Sequence, residues 1–256
     1  QILKSVDPDV AAALEESLRR DGIDIFTNTS LLHVADDGRQ ARVSFEKNGQ
    51  VKNLEAARVL NALGRKPRLD GLEPLNLATT HGRIAVQSDQ STSHPHIFAA
   101  GDVCSPLQVV HLAVTQGEIA ARNVLRLIRT PVEPLEETDY RLKMLAIFSE
   151  PGFASVGLSE RELLDSGRET LSASYPFNDH GKSMVEGFLD GFVKLVVCKA
   201  SREILGATVV GPHAAELIHE IVVAMHFRAT AGDLARIPHY HPTLSEIWTY
   251  PAEELA

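Results

Sequence analysis

The run Thr130-Pro131-Val132-Glu133-Pro134-Leu135-Glu136-Glu137 constrains the fold more than any other stretch of the chain. Its two prolines remove backbone donors that a helix or a sheet ladder needs, and its acids favour water, so it reads as an exposed connection between separately packed units. Residues 136–256 must then bury a core of their own. Apolar alternation predicts strands over 142–148, 154–156, 171–175, 192–198 and 204–210, and helical spacing predicts helices over 159–166, 214–227, 230–237 and 243–250. Strands and helices mixed in this way read as an α+β unit.

The part before the connection has an α/β character. Asp7-Pro8 opens a helix in which Val10, Ala13, Leu14, Ser17 and Leu18 recur at helical spacing, and Asp21-Gly22 ends it. A strand is predicted over 23–26. A meander over 29–34, 39–47 and 51–54 follows, with turns at Asp36-Asp37-Gly38 and Lys47-Asn48-Gly49. The apolar run from Arg58 to Leu63 reads as a buried strand entering the turn at Gly64, and 96–100 as a short strand ending at Gly101-Asp102. A long helix is predicted over 109–128, its buried face made by Val110, Ala113, Val114, Ile119, Ala120, Val124 and Leu127.

Composition excludes several functions. A formal charge of -9 over 256 residues argues against nucleic acid or an anionic membrane surface as partner. No apolar run is long enough to span a bilayer, and no signal-peptide layout stands at the N-terminus, so a cytoplasmic setting is expected. Cys104 and Cys198, the only two cysteines, are far apart in sequence and read as plain thiols. His213, His219 and His226 do not converge in spacing on one ion, and no metal site is expected.

The chemistry concentrates in His239-Tyr240-His241-Pro242-Thr243-Leu244-Ser245-Glu246. Thr243 and Glu246 have the spacing of a capping box at the start of a helix. Pro242 biases His241 toward an extended backbone, so that its ring is aimed rather than packed on the helical face. A histidine held beside a carboxylate that can fix its tautomer suits a general base. From spacing alone the alternatives stay open: Glu246 as a cap and nothing more, His241 as a loop residue, His239 and His241 as an accidental metal-like pair.

This stretch resembles the C-terminal signature of the FAD-dependent pyridine nucleotide-disulfide oxidoreductases, nearest their dihydrolipoamide dehydrogenase branch. The likeness extends through Gly64-Arg65-Lys66-Pro67, through His96-Ile97-Phe98-Ala99-Ala100-Gly101-Asp102, through the Phe148 to Glu160 segment and through Gly206 to Ile218. It implies residues 1–64 as the C-terminal half of a nicotinamide-nucleotide-binding domain, 65–135 as a central FAD-contacting segment, and 136–256 as an interface domain that makes a homodimer. The stripe Ile218, Ile221, Val222 and Met225 is expected to serve both core and subunit contact.

By the same resemblance His241 is the acid/base for a substrate dithiol and Glu246 its orienter. Asp102 would hydrogen-bond the ribityl chain of FAD, and Gln108, Val109 and Val110 would lie against the flavin, with NAD or NADP as electron partner. The substrate implied is a small dithiol or disulfide, such as a lipoyl group carried on a partner protein. Neither the family's closely spaced redox cysteine pair nor its two G-x-G-x-x-G fingerprints occurs. The chain is therefore expected to be the C-terminal portion of a longer enzyme and inactive alone. The alternatives are a non-catalytic dimerisation module and a glutathione- or mercuric-reductase-like enzyme. Tyr175-Pro176-Phe177-Asn178-Asp179-His180-Gly181-Lys182-Ser183-Met184 departs from relatives, and the sequence assigns it no chemistry.

Overall fold

The computed structural model describes residues 1–129 and 133–256. They form two compact units, residues 1–61 with 144–256, and residues 62–143.

The larger unit opens with helix α1 (Pro8–Arg20), where Pro8 presets the first turn and Arg19 and Arg20 face the negative end of the helix dipole. Strands β1 (Thr29–Asp36), β2 (Ala41–Lys47) and β3 (Gln50–Ala56) then make an antiparallel meander in that order. Only β2 buries side chains, Ala41 and Phe45. The same unit contains a five-stranded antiparallel sheet of β6 (Met144–Ile147), β7 (Gly152–Gly157), β8 (Thr170–Pro176), β9 (Phe192–Cys198) and β10 (Ile204–Gly211), in the order β6-β7-β10-β9-β8.

The central strands β9 and β10 are buried along almost their whole length, as strands covered on both faces are. Val10, Ala11 and Leu14 of α1 pack on Phe153 and Val210, which sit opposite one another in the β7–β10 register. Helix α5 (Ala214–His226) lies along β7 and β10. Where β7 leaves the sheet, Gly157 pairs with Gly206. A Cβ on Gly206 would stand 2.0 Å from the Leu158 carbonyl oxygen, so this crossing requires glycine.

Three more helices belong to its C-terminal half and a fourth, short one to the loop after β8. Helix α3 (Glu160–Asp165) starts on a complete Ser159/Glu162 capping box, and α6 (Ala231–Arg236) on one made by Thr230 and Asp233. Helix α7 (Thr249–Leu255) lies against β8 and β9. The sole tryptophan, Trp248, is fully buried and donates its indole N–H to the Leu217 carbonyl at 3.0 Å.

The smaller unit has a two-stranded ribbon, β4 (Thr79–Thr80) with β5 (Arg83–Ile84), and the long helix α2 (Val110–Arg129). Asn123 of α2 holds the end of the predicted connection, bonding the Glu136 N–H and C=O at 2.8 Å each. The first three residues of the predicted connection, Thr130 to Val132, lie outside the described residues.

Several expectations are corrected. Residues 23–26 form no strand, because the chain turns there through the Ile23 N–H bond to the Leu18 carbonyl. Arg58 to Leu63 is exposed and irregular rather than a buried strand. An apolar run becomes a buried strand only between partner strands, and among the described residues none pairs with it. Residues 96–100 contribute one bridge, Ser91 to Phe98, and then a 3₁₀ turn over Gly101–Val103. The helix predicted over 243–250 is a 3₁₀ turn, Ser245–Trp248, that leads into α7. Ile218, Ile221 and Met225 are buried within the unit, so the stripe faces the core. The unassigned loop contains a short helix α4 (Gly181–Glu186).

Candidate functional site

Thr243 and Glu246 make the reciprocal bonds of a capping box. The Thr243 N–H donates to Glu246 Oε1 at 3.3 Å, and the Glu246 N–H donates to Thr243 Oγ1 at 3.3 Å. This fixes the carboxylate at the start of the turn and leaves Oε2 for His241, whose Nδ1 lies 2.9 Å away. The peptide bond between His241 and Pro242 is cis. The capping bond and the contact with His241 thus fall on the two oxygens of one carboxylate.

Burial works to raise the Glu246 pKa. The hydrogen bonds from His241 and from the Thr243 N–H outweigh it and hold the acid below its ordinary range. An ionised carboxylate only accepts, so Nδ1 of His241 carries the hydrogen and Nε2 keeps the lone pair. The His241 side chain is 81% exposed and that of Glu246 12%. The arrangement is a fixed, nearly buried anion behind an imidazole whose basic nitrogen is open to whatever approaches it.

His239 does not join this pair. Its Nε2 lies 2.6 Å from Glu220 Oε1 on α5, and its Nδ1 lies 2.9 Å from the Ile237 carbonyl, so it ties the loop to α5.

The loop without assigned chemistry brings a third imidazole. His180, completely buried between the 3₁₀ turn Phe177–Asp179 and α4, sets Nδ1 2.8 Å from Ser183 Oγ and Nε2 3.5 Å from Glu246 Oε1. Its ring meets Tyr250 edge-on, and Tyr250 stacks on Tyr175 with ring centres 3.9 Å apart. The Tyr175 hydroxyl donates to the Asp179 carboxylate at 3.0 Å, and burial followed by that acid raises its pKa to about 12. Fully buried Phe177, against Gly211, anchors the loop. A histidine three residues before a serine, in a loop pinned by a core phenylalanine, was the available signal in the sequence.

In the smaller unit Asp102 is exposed on the Gly101–Val103 turn. Gly101 has φ +78, and its N–H donates to Gln116 Oε1 of α2 at 2.8 Å, while the Gln116 amide reaches the Tyr140 hydroxyl at 3.0 Å. A buried polar chain therefore fixes the turn to α2. Gln108 is exposed, Val109 half-buried, and Val110 exposed as the first residue of α2. An outward carboxylate and the start of a 20-residue helix suit a polyol chain joined to a ring that gains negative charge on reduction. These residues fit a flavin.

Both cysteines are free thiols. Burial raises the Cys104 pKa to about 11, whereas hydrogen bonds from Ser201 and the neighbouring backbone lower that of Cys198. Among the described residues the one group of acids close enough to share a cation is Asp7, Asp9 and Glu160, and the Lys194 ammonium already bonds all three.

Comparison with known proteins adds identity to this geometry. The model of the pyridine nucleotide-disulphide oxidoreductases matches residues 1–117, and that of their dimerisation domain matches residues 144–252. A dihydrolipoyl dehydrogenase of Mycobacterium leprae is 35% identical over 243 residues, which cover 94% of this chain and 51% of that protein. The Geobacillus stearothermophilus dihydrolipoyl dehydrogenase is 34% identical over 256 residues, 99% of this chain and 53% of its own. Among solved structures, LpdA from Mycobacterium tuberculosis superposes with a TM-score of 0.82 at 26% identity, covering 98% of this chain and 53% of that one. The HOCl-induced flavoprotein disulfide reductase RclA from Escherichia coli gives 0.82 at 23% identity over 99% and 57%, a likeness of fold. The chain spans about half the length of the curated relatives it matches. With the two models together covering most of its residues, the chain belongs to the pyridine nucleotide-disulphide oxidoreductase family.

Proposed function

We propose that these residues form the C-terminal portion of a dihydrolipoamide dehydrogenase-like oxidoreductase and supply its acid/base for dithiol oxidation. FAD and NAD or NADP are the cofactors of the family, and FAD would carry the electron pair between the dithiol and the nicotinamide. The observation that carries the reading is the 2.9 Å bond from His241 Nδ1 to a carboxylate already fixed by its capping bonds. It leaves Nε2 basic and exposed.

In this role His241 Nε2 takes the proton of one substrate thiol, because the thiolate is the nucleophile in disulfide exchange. The thiolate attacks a redox disulfide supplied outside these residues, giving a mixed disulfide and one enzyme thiolate. The second substrate thiol then closes the substrate disulfide and leaves the enzyme dithiol. Glu246 fixes the His241 tautomer and the direction of its ring. Asp102 would accept from the ribityl hydroxyls of FAD, and Gln108, Val109 and Val110 would lie along the flavin. The substrate is a small dithiol, with a lipoyl group on a partner protein as the natural carrier.

The three-part division at residues 64 and 135 and a homodimer belong to the same reading. Exposed Phe148, Val223 and Phe227 lie in the unit whose sequence matches the dimerisation domain, and they offer the apolar surface a second copy would cover. A cytoplasmic setting agrees with two free thiols. The test is His241→Gln in the full-length holoenzyme. Dithiol oxidation falls by about 10²–10⁴-fold while flavin content is unchanged; undiminished turnover removes His241 from the chemistry. A non-catalytic dimerisation role is the second reading, favoured by a cysteine content that includes no closely spaced pair, and undiminished turnover would support it.

A further inference from the structure

Among the described residues, the His180 imidazole is one of three side chains with a buried polar atom that has no hydrogen-bond partner. It is completely enclosed, Ser183 satisfies its Nδ1, and its Nε2 makes no formed hydrogen bond although it is sealed from water. The acceptor it faces is Glu246 Oε1 at 3.5 Å, the oxygen that also takes the Thr243 N–H. A buried polar atom in a native structure calls for a physical explanation.

Tautomer logic supplies one. The Ser183 hydroxyl can donate to Nδ1, which puts the hydrogen of a neutral ring on Nε2, pointing at an ionised carboxylate. The opposite tautomer would set a nitrogen lone pair against carboxylate lone pairs inside the protein, at the cost such an encounter carries in a low dielectric. Burial lowers the His180 pKa against the opposing pull of Glu246, so the ring stays neutral and the tautomer decides the interaction. Hydrogen bonds in catalytic groups are often long without substrate and shorten in the working complex.

We propose that His180 is a positioning residue for dithiol oxidation, holding Glu246 through Nε2–H on Oε1 so that Oε2 stays aimed at His241. The inference rests on the reading of His241 as the acid/base. His180 touches neither substrate nor cofactor in this role. Ser183 sets its tautomer, the Tyr175–Tyr250 stack sets its ring plane, and the carboxylate carries the effect to His241. A line of four side chains, Ser183, His180, Glu246 and His241, thus runs from the buried interior to the exposed base.

The test compares His180→Leu, His180→Gln, Glu246→Gln and the His180→Leu/Glu246→Gln double variant in the full-length holoenzyme. His180→Leu lowers kcat for dithiol oxidation roughly tenfold, the worth of one hydrogen bond to a charged group, with KM and flavin content unchanged. Glutamine can present an amide N–H where Nε2 stood, so His180→Gln recovers most of the rate. In the Glu246→Gln background His180→Leu costs nothing further, because residues that act through one another are not additive.

A merely structural histidine would give additive losses, no rescue by glutamine, or a loss of flavin with the rate, and any of these overturns the proposal. If His180→Leu fails to fold, nitrogen NMR of the histidine rings in the unaltered protein decides: Nε2 protonated with Nδ1 bare is expected, and the reverse refutes it. His241→Gln, measured alongside, separates the two ideas. If it leaves turnover intact, the acid/base reading fails; if it abolishes turnover while His180→Leu does nothing, only the positioning role fails.

Discussion

Replacing Lys194 with methionine removes the cation that bonds a group of three carboxylates. The ammonium bonds Asp7 at 3.0 Å, Asp9 at 2.9 Å and Glu160 at 2.7 Å, with Lys194 and Asp7 each 4% exposed and Asp9 and Glu160 50% and 38%. Burial alone would lower the lysine pKa, but the three acids outweigh it and raise it, so the ammonium stays charged. Without it, carboxylate oxygens within 4.8 Å of one another face no counter-charge. Two unit charges at that separation repel by about 3.5 kcal/mol at an effective dielectric of about 20, before water screens the two exposed acids.

Asp7 keeps only two N–H donors, Glu160 and Arg161, each at 3.2 Å. A buried charge stripped of its partner costs about 3–5 kcal/mol, and that is the loss predicted for Lys194→Met. Asp9→Asn, at a half-exposed partner, should cost no more than about 1 kcal/mol. Adding Asp7→Asn to Lys194→Met removes the uncompensated charge and should return most of the stability. Trp248 is the only tryptophan and is buried in the same unit, so its fluorescence in a denaturant titration reports this unit without a two-state assumption for the whole chain. A loss below about 1 kcal/mol for Lys194→Met, or no recovery with Asp7→Asn, would refute the argument that burial makes this cluster costly to break.

Burial pushes the His180 pKa below its ordinary 6.5, against the opposing effect of Glu246. The unfolded chain therefore takes up a proton near that pH while the folded one does not. Stability is complete above it and falls as pH drops toward the lower folded value; His180→Gln should flatten that fall in Trp248-monitored melts, and an unchanged pH profile would count against it. Iodoacetamide at mildly alkaline pH should give native protein a single adduct, on Cys198, because Cys104 is raised to about 11 by burial. Equal labelling of both thiols by peptide mass would contradict this. Light scattering at micromolar concentration should return twice the chain mass, and Phe227→Glu should shift it toward the monomer; a monomer from the unaltered protein removes the subunit-contact reading of α5.

The sequence made the larger unit legible where local chemistry agrees with tertiary packing. Phe192 to Cys198 is apolar except for Lys194 and is closed by Gly191 and Lys199, and it forms β9 over that span. Ser159 with Glu162, and Thr243 with Glu246, make the capping bonds their spacing announces. The pairing of His241 with Glu246 was legible for the same reason, since both belong to one turn. Arg58 to Leu63 was misread because a buried strand depends on partners that no local pattern encodes. His180 was missed because its burial and its approach to Glu246 come from contacts between the loop after β8 and the turn before α7. Nor did apolar spacing on α5 separate core from contact surface: Ile221 and Met225 turn inward while Val223 and Phe227 face out.

Rapid mixing of the full-length holoenzyme with each reductant in turn tests the role of His241 most directly. In His241→Gln, flavin reduction by a dithiol should slow by about 10²–10⁴-fold, while reduction by the reduced nicotinamide stays near the unaltered rate. Equal slowing from both sides would mean that the substitution damages the flavin site. No slowing from the dithiol side would mean that His241 Nε2 moves no proton in the reaction.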